Sequence, residues 1–347
     1  MTNPSRTEAA ASRRALLRAL GASATTGLLG GCASLAAGSR FDASRISVAP
    51  TVLVATTRKA VNGGRVKPWY GAERGPLSLA RAKLMSPSDE RFSFSAIGIG
   101  GWAIESVEPI RGQPGDLLAQ AQVRDILIYI HGFRNTFEES LLDAVRLADG
   151  VSFSGETMVF SWPSKAGLFD YTYDRESAMW SRDGFERVLD GAMLSQTRNR
   201  VHMVAHSMGT MLTLEALRQI YARYGDAAAD KIGAVVFASP DIDIDIFTSS
   251  IERLGPIARK ITIVTATNDR ALALSRRLAG GITRVGAAEK AQLERLGLSV
   301  IDASDSWGII NHDSFLSNAE VRKVIRGAID GSDRRAATVR WRTHAAT

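Results

Sequence analysis

The fold is decided by the stretch Val201-His202-Met203-Val204-Ala205-His206-Ser207-Met208-Gly209. Its first half is an apolar run, which predicts a strand buried on both faces. Its second half holds a serine with small residues two positions before and two positions after it, and a helical pattern follows. A nucleophilic serine in a sharp strand-to-helix turn needs such small neighbours. The stretch therefore predicts that Ser207 is a nucleophile; the alternative is a serine that only caps the helix.

Apolar runs alternate with helical patterns on both sides of this stretch. Strands are predicted at 51–57, 92–99, 125–130, 157–161, 201–205, 232–238, 261–266 and 298–302. Helices are predicted at 136–148, 174–194, 208–224 and 314–328. Such alternation indicates a mostly parallel sheet with helices on both faces. Ligands of such sheets bind beyond the carboxyl ends of the strands, where all the candidate residues below lie.

A second motif, Ile130-His131-Gly132-Phe133, ends the predicted strand at 125–130. Its position upstream of the serine turn suits a loop that donates a backbone N–H to an oxyanion. We expect Phe133 to be that donor, with Arg134 as the alternative, and the amide of Met208 at the helix start to be the other. A plain glycine turn is the competing interpretation of this motif.

The general base is chosen by elimination among five histidines. His131 belongs to the glycine turn, His202 lies inside a strand, and His206 adjoins the serine and should point away from its hydroxyl. His344 is in the basic C-terminal segment. His312 remains, after the last predicted strand, and it would take the Ser207 proton and return it to the leaving group.

Two aspartates are candidates for the acid that orients the histidine. Asp269 follows the strand at 261–266, and Asp241 follows the strand before it. The order serine, Asp269, His312 favours Asp269, because it matches the order of these groups in hydrolases with a serine turn of this kind. The other aspartate is expected to be a helix cap or a supporting partner.

Acidic residues recur at Asp241, Asp243 and Asp245, as they do in some calcium loops. The glycine and the terminal glutamate of such a loop are missing at the required offsets. We therefore expect an amphipathic strand-like or turn segment here. No metal and no cofactor are predicted.

The N-terminus resembles an export signal. Residues 13–18 (RRALLR) are similar to the twin-arginine motif, a short apolar stretch follows, and Leu29-Gly30-Gly31-Cys32 resembles a lipobox. Three cues in this order predict a signal peptide at 1–31 and lipidation of Cys32. A tether over 32–46, a domain over 47–330 and a basic tail over 331–347 follow. The expected location is the cell envelope, lipid-anchored to a membrane, with the outer membrane or the periplasmic face favoured.

Charge and composition limit the possible partners. The net charge is +7, with a net +3 in residues 1–31 and a further +3 in residues 332–347, so the part between them is nearly neutral. A nucleic-acid binder would carry its excess positive charge on a folded face. The sequence therefore argues against a nucleic-acid partner and for a small-molecule or lipid substrate.

Several segments together resemble a bacterial family of largely uncharacterised α/β hydrolases related to esterases and lipases. They are Val54-Ala55-Thr56-Thr57-Arg58, Ile130-His131-Gly132-Phe133, Phe160-Ser161-Trp162-Pro163-Ser164, Ala205-His206-Ser207-Met208-Gly209, Ala238-Ser239-Pro240-Asp241-Ile242-Asp243 and Asn268-Asp269-Arg270-Ala271-Leu272. The resemblance implies the α/β-hydrolase fold and a Ser-His-Asp site, but no particular substrate.

Three side chains near these motifs are candidates for the substrate pocket: Trp162, His131 and Arg134. Trp162 could equally be a packing residue. The aromatic stretch 164–180 is expected either to roof the site or to begin an ordinary packed helix.

The function predicted from the sequence is hydrolysis of a carboxylic ester through an acyl-enzyme intermediate. Two alternatives stay open. One is a non-catalytic envelope lipoprotein that uses the same fold as a binding module. The other is acyl transfer to an alcohol or amine by the same residues.

Overall fold

The computed structural model describes residues 51–86, 102–119, 125–167, 170–195, 199–265, 283–303, 316 and 318–331. The predicted signal peptide, tether and strand at 92–99 lie outside this part of the chain, as does the predicted tail beyond residue 331. Cys32, Asp269, His312 and His344 also lie outside it.

The described residues form one nine-stranded sheet. Its strands are β1 (Thr51–Ala60), β2 (Tyr70–Met85), β3 (Ala103–Ile110), β4 (Ile126–Ile130), β5 (Glu156–Ser161), β6 (Val201–His206), β7 (Ile232–Ala238), β8 (Ile261–Thr265) and β9 (Ser299–Asp302). Their order across the sheet is β3-β2-β1-β5-β4-β6-β7-β8-β9. The pairs β1–β2 and β2–β3 are antiparallel, and all the other pairs are parallel. The predicted mostly parallel sheet is confirmed.

The helices of the described residues connect these strands. They are α1 (Pro114–Ala119), α2 (Phe137–Gly150), α3 (Tyr171–Trp180), α4 (Arg182–Leu194), α5 (Gly209–Tyr224), α6 (Asp226–Lys231), α7 (Ile244–Ile251), α8 (Lys290–Glu294) and α9 (Ala319–Asp330). Short 3-10 turns occur at Asn62–Gly64, Gly255–Lys260 and Val285–Ala287. None of the helices in the described part is long and apolar enough to cross a bilayer.

The core lies on both faces of the central strands. Every residue of β4, β6, β7 and β8 is buried, which requires cover on both faces because successive side chains point to opposite sides. On one side α2 and α9 are neighbours, with Gly150 facing the side chain of Arg322. Helix α4 packs against both α1 and α5, and these three helices form a second group. The short continuous apolar runs were therefore correctly interpreted as doubly covered strands.

Two secondary-structure predictions need correction. The helix predicted at 174–194 is two helices, α3 and α4, with Ser181 between them. The strand-like or turn segment predicted around Asp243 is limited to residues 241–243, where Asp243 forms an isolated β-bridge with Arg284, and helix α7 begins at Ile244. The Asp243 carboxylate accepts hydrogen bonds from the amides of Asp245 (2.8 Å) and Ile246 (2.9 Å), as a helix cap does. Among the described residues, no cluster of metal-ligating side chains occurs.

The topology brings two loops together at one edge of the sheet. Strand β4 pairs with β5 on one side and β6 on the other, with Ile130 opposite Ala205. The chain leaves β4 for β5 and then crosses to β6, so the order reverses at β4. Such a reversal opens a crevice at the carboxyl ends of the strands. The turns that follow β4 and β6 carry the glycine motif and Ser207.

Candidate active site

Ser207 lies in a strained turn between β6 and α5. Its φ of 49° is in the left-handed region, which a residue with a side chain rarely adopts. The turn is held by its backbone: the Ser207 amide donates to the carbonyl of Ala238 (2.9 Å), and its carbonyl accepts from the amides of Thr210 and Asp241 (3.1 Å each). Strain that is fixed in this way is typical of a nucleophile presented at a strand-to-helix turn.

Two glycines allow this turn to contact the loop after β4. A Cβ on Gly209 would lie 2.5 Å from the carbonyl oxygen of His131 and 2.9 Å from that of Ile130. A Cβ on Gly132 would lie 2.8 Å from Nδ1 of His206 and 3.0 Å from Cβ of Ser207. Real Cβ atoms do not approach other atoms so closely, so each position requires glycine. The structure therefore brings the two sequence motifs into direct backbone contact.

The amides of the two motifs differ in whether they already have a partner. Within the described part of the chain, the amides of Phe133 and Met208 donate no hydrogen bond. The amide of Arg134, the alternative donor, lies 3.3 Å from a carboxylate oxygen of Asp174 and donates to it. Phe133 and Met208 are therefore the pair of donors that an oxyanion between the two loops could use.

The pocket roles predicted for Trp162 and His131 do not agree with the structure. Both side chains are fully buried, and their rings stack with centroids 4.5 Å apart. The indole Nε1 of Trp162 donates to the carbonyl of His131 (2.8 Å). The two residues support the loop from inside the core, so packing is the correct alternative for Trp162. The Arg134 side chain is on the surface, where its Nε donates to the carbonyl of Ala166 (3.4 Å).

The surroundings of His131 keep its ring neutral. We assign the proton to Nδ1, which donates to the carbonyl of Gly132 (2.8 Å). Nε2 then accepts from the Trp162 amide (3.1 Å), with Nη2 of Arg58 at 3.4 Å. The Trp162 carbonyl is also 3.0 Å from Nε2, but two N–H donors are directed to this nitrogen. Burial and then the charge of Arg58 lower the pKa of His131 to about 3, which rules it out as a base at neutral pH.

Two other histidines, His202 and His206, lie in the described part of the chain, both in strand β6. His202 lies near the opposite end of β6, where Nε2 is 3.2 Å from Asp125 and Nδ1 accepts from the amide of Ala234 (3.0 Å). The ring of His206 is buried against Gly132. His312 stays the predicted base, outside the described residues.

Asp241 is next to Ser207 but is held by a buried ion pair. Its Oδ1 lies 3.1 Å from Nε of Arg284, and its Oδ2 accepts from the hydroxyl of Tyr171 (3.0 Å). Both charged side chains are buried. The ring of Tyr171 contacts that of Phe133 edge to face, at 5.5 Å between centroids. The start of helix α3 therefore packs between the loop after β4 and the loop after β7. A packed helix start was one of the two alternatives for the stretch 164–180.

Three residues of this region, Arg58, Asp174 and Arg284, were given no role from the sequence, and Tyr171 was noted only as part of the aromatic stretch 164–180. A charged residue that ends an apolar strand, as Arg58 does in β1, was the one available signal. Tyr171 and Asp174 lie in the aromatic stretch 164–180, whose pattern does not show which groups they bind, and Arg284 lies in a segment without a distinctive pattern.

The sheet order, the serine turn and the paired glycine loop define the α/β-hydrolase fold. A family model described as "Alpha/beta hydrolase of unknown function (DUF900)" matches residues 114–328, which is more than half of the chain. The chain belongs to this family. None of the curated proteins matches the sequence.

Solved structures with a similar arrangement are distant in sequence. S-formylglutathione hydrolase from Staphylococcus aureus has 12% identity and a TM-score of 0.38, over 82% of this chain and 98% of that chain. Est1E from Butyrivibrio proteoclasticus has 12% identity and a TM-score of 0.37, over 75% of this chain and 96% of that chain. A predicted CIB-like hydrolase from Thermoplasma acidophilum has 13% identity and a TM-score of 0.34, over 73% and 91%. The family match, and not these similarities, carries the assignment.

Proposed function

We propose that the protein is a serine hydrolase that cleaves a carboxylic ester through an acyl-enzyme intermediate. Ser207 is the nucleophile, His312 the base and Asp269 the acid, and the amides of Phe133 and Met208 bind the oxyanion. The observation that carries the proposal is the left-handed Ser207 turn in backbone contact with the Gly132 loop. A strained serine next to two amides that donate no hydrogen bond within the described residues is what acyl transfer requires.

In this mechanism His312 removes the proton of Ser207 as Oγ attacks the ester carbonyl. The carbonyl oxygen becomes an oxyanion and accepts from the two amides. The tetrahedral intermediate then collapses, the alkoxide leaves with the proton from His312, and the acyl group remains on Oγ. Water, deprotonated by His312, releases the acid and restores Ser207. An alcohol or amine in place of water would give acyl transfer.

The ion pair of Asp241 supports Asp269 as the acid. The charge of the Asp241 carboxylate is already balanced by Arg284, and Tyr171 donates to its second oxygen. A carboxylate that is committed in this way orients a histidine less well than one with a free oxygen. Asp269→Asn is expected to lower kcat by about 10³-fold or more, because the wrong histidine tautomer results.

The test of the nucleophile is labelling by a fluorophosphonate probe together with turnover of p-nitrophenyl esters of different chain lengths. Ser207→Ala is expected to lose both. Ser239→Ala is the matched control, since Ser239 is also buried and left-handed (φ 46°), at the end of the neighbouring strand β7. A folded wild-type protein that neither labels nor turns over any ester would contradict the proposal and favour the binding-module alternative.

We also propose that the protein is exported and anchored to a membrane by a lipid on Cys32. The support is the order of arginines, apolar stretch and lipobox in residues 12–32. The anchor would keep the hydrolase next to ester substrates of the cell envelope.

A further inference from the structure

A buried arginine lies behind the loop that follows β4. Arg58, at the end of the buried part of β1, has 1% of its surface exposed. Burial lowers the pKa of its guanidinium to about 10, so it is still charged at neutral pH. A buried charge is costly unless it is fully hydrogen-bonded, so the partners of this group show what it holds in place.

The donors of Arg58 connect β5 with the loop at 131–135. Nε donates to Oγ of Ser161 (2.9 Å), and Nη1 donates to the carbonyl of Ser164 (3.2 Å). Nη2 donates to the carbonyl of Asn135 (2.6 Å) and lies 3.4 Å from Nε2 of His131. The rigid planar fork of an arginine can span these partners at once. The guanidinium therefore fixes both ends of the loop.

Asp174 of α3 holds the same loop from the other side. Its buried carboxylate accepts from the hydroxyl of Ser164 (2.5 Å) and from the amides of Lys165 (2.9 Å) and Arg134 (3.3 Å). The amide of Asn135 in turn donates to Oγ of Ser164 (3.2 Å). Ser164 thus joins the two charged residues: its hydroxyl donates to Asp174, and its carbonyl accepts from Arg58.

Together these bonds occupy the backbone groups that follow Phe133. The amides of Arg134 and Asn135 have fixed acceptors, and the carbonyl of Asn135 has a fixed donor. The amide of Phe133 donates to no group in the described part of the chain. The network therefore fixes the loop while leaving the Phe133 amide available.

We propose that Arg58 and Asp174 are positioning residues that hold the loop at 131–135 where the Phe133 amide meets the developing oxyanion. This inference rests on the proposed function. The expected size of the effect on kcat follows from oxyanion chemistry, since the loss of one donor lowers kcat by about 10²–10³-fold. A displaced donor should cost part of that factor without weakening substrate binding.

The main test variant is Arg58→Lys. A lysine keeps the positive charge but has one nitrogen, which cannot reach Ser161 and Asn135 together. We expect kcat to fall about 10–100-fold while KM stays within about 3-fold, because the lost interaction acts in the transition state. The rate of fluorophosphonate labelling should fall by a similar factor.

Asp174→Asn and Ser164→Ala test the other half of the network. Asparagine replaces one acceptor oxygen by an NH₂ that faces donors, and the alanine removes the link to Asp174. Both variants are expected to show the same loss of kcat at nearly constant KM. If Arg58→Lys fails to fold, these two variants still test whether the network positions the loop at 131–135.

Arg326→Lys is the matched control. Arg326 also braces a loop through its Nη1, which donates to the carbonyls of Val151 (2.6 Å) and Ser152 (3.0 Å), but at the opposite end of the sheet. Its labelling rate and kcat should equal those of the wild type.

The outcomes separate the two proposals. If the wild type does not label, the proposed function fails and this inference fails with it. If the wild type labels and folded Arg58→Lys, Asp174→Asn and Ser164→Ala keep its kcat, the inference alone is overturned. A rise in KM at constant kcat would also overturn it, because it would assign these residues to substrate binding.

Discussion

At the scale of single residues, Gly132 has little room for a side chain. A Cβ there would press on the ring of His206 and on Ser207, which are 2.8 Å and 3.0 Å away. Neither is the flexible end of a long side chain, so the loop itself must move. We expect Gly132→Ala to lower kcat/KM at least about 10-fold, because a displacement of 1 Å already costs about 10²-fold in well-aligned sites.

The control for this variant is Gly115→Ala. The nearest atom to a Cβ at Gly115 is 3.6 Å away, an ordinary contact. Ester turnover and urea unfolding of both variants should be compared with the wild type. Equal activity of Gly132→Ala and Gly115→Ala would show that the loop at Gly132 is not in contact with the Ser207 turn.

His131 should make the stability of the protein depend on pH. Its pKa is about 3 in the folded protein and about 6.5 in an unfolded chain. Between these values the unfolded chain binds more protons, so the free energy of unfolding falls as the pH is lowered through this window. At pH 4.5 the loss from this one group is roughly 2–3 kcal/mol relative to pH 7.

Carboxylates also titrate in this range, so the contribution of the histidine must be isolated. Urea unfolding at pH 7 and at pH 4.5 should be measured for the wild type and for His131→Gln, which cannot titrate. The variant is expected to be less stable at pH 7 but to lose less stability on acidification. An identical pH dependence of both proteins would contradict a neutral, buried His131.

At the scale of elements, a buried ion pair joins the loop after β7 to the segment 283–288. Arg284 pairs with Asp241, and two backbone bonds run beside it, from Val285 to Ile242 (3.0 Å) and from Gly286 to Pro240 (2.9 Å). Arg284→Met leaves a buried carboxylate without its cation, and we expect a loss of about 3–5 kcal/mol in the free energy of unfolding.

The double variant Asp241→Asn/Arg284→Met should recover much of that loss, since no unpaired charge remains. Urea unfolding of the two single variants and the double variant gives the coupling between the pair. Additive losses would mean that the two side chains do not interact in solution.

The strands and helices that were predicted correctly are those whose sequence pattern lies within a few consecutive residues. Strands β4 to β8 are short apolar runs because both faces are covered, and the apolar run in β1 has the same cause. Strand β2 was missed because Gly71, Gly75 and Pro76 lie in its first half, although the pairing with β1 continues on both sides of them. Helix α3 was merged with α4, since Ser181 between them gives no sequence signal.

The same distinction holds for the site. The serine turn and the glycine loop were found because each depends on a few consecutive residues. Arg58 and Arg284 were missed because their partners are distant: Arg58 is 77 residues from Asn135 and 103 from Ser161, and Arg284 is 113 from Tyr171. Asp174 is only 10 and 9 residues from Ser164 and Lys165, but it is 40 from Arg134 in the loop that it holds. Buried polar networks of this kind are created by the tertiary fold, so no local pattern encodes them.

At the scale of the whole molecule, the candidate site is assembled from the ends of several strands. The loops after β4, β5, β6 and β7 all contribute, and α3 contacts the first and the last of them through Asp174 and Tyr171. Since strands supply the rigid frame, variation in α3 and in the segment 283–288 can change the surroundings of Ser207 without altering its turn.

The last prediction concerns the chain as a whole and its proposed lipid anchor. Cys32 is the single cysteine, so metabolic labelling with an azido fatty acid reports on one thiol. We expect the wild type to be labelled and to sediment with membranes, because two acyl chains anchor a protein stably where one does not. Cys32→Ser should lose the label and move to the supernatant, whereas Ser34→Ala should behave as the wild type.

Because Ser207→Ala should keep the label and remain in the membrane fraction, acylation at Cys32 is separable from acyl transfer at the candidate site. A Cys32→Ser protein that still sediments with membranes would show that another segment, and not a lipid, attaches the hydrolase.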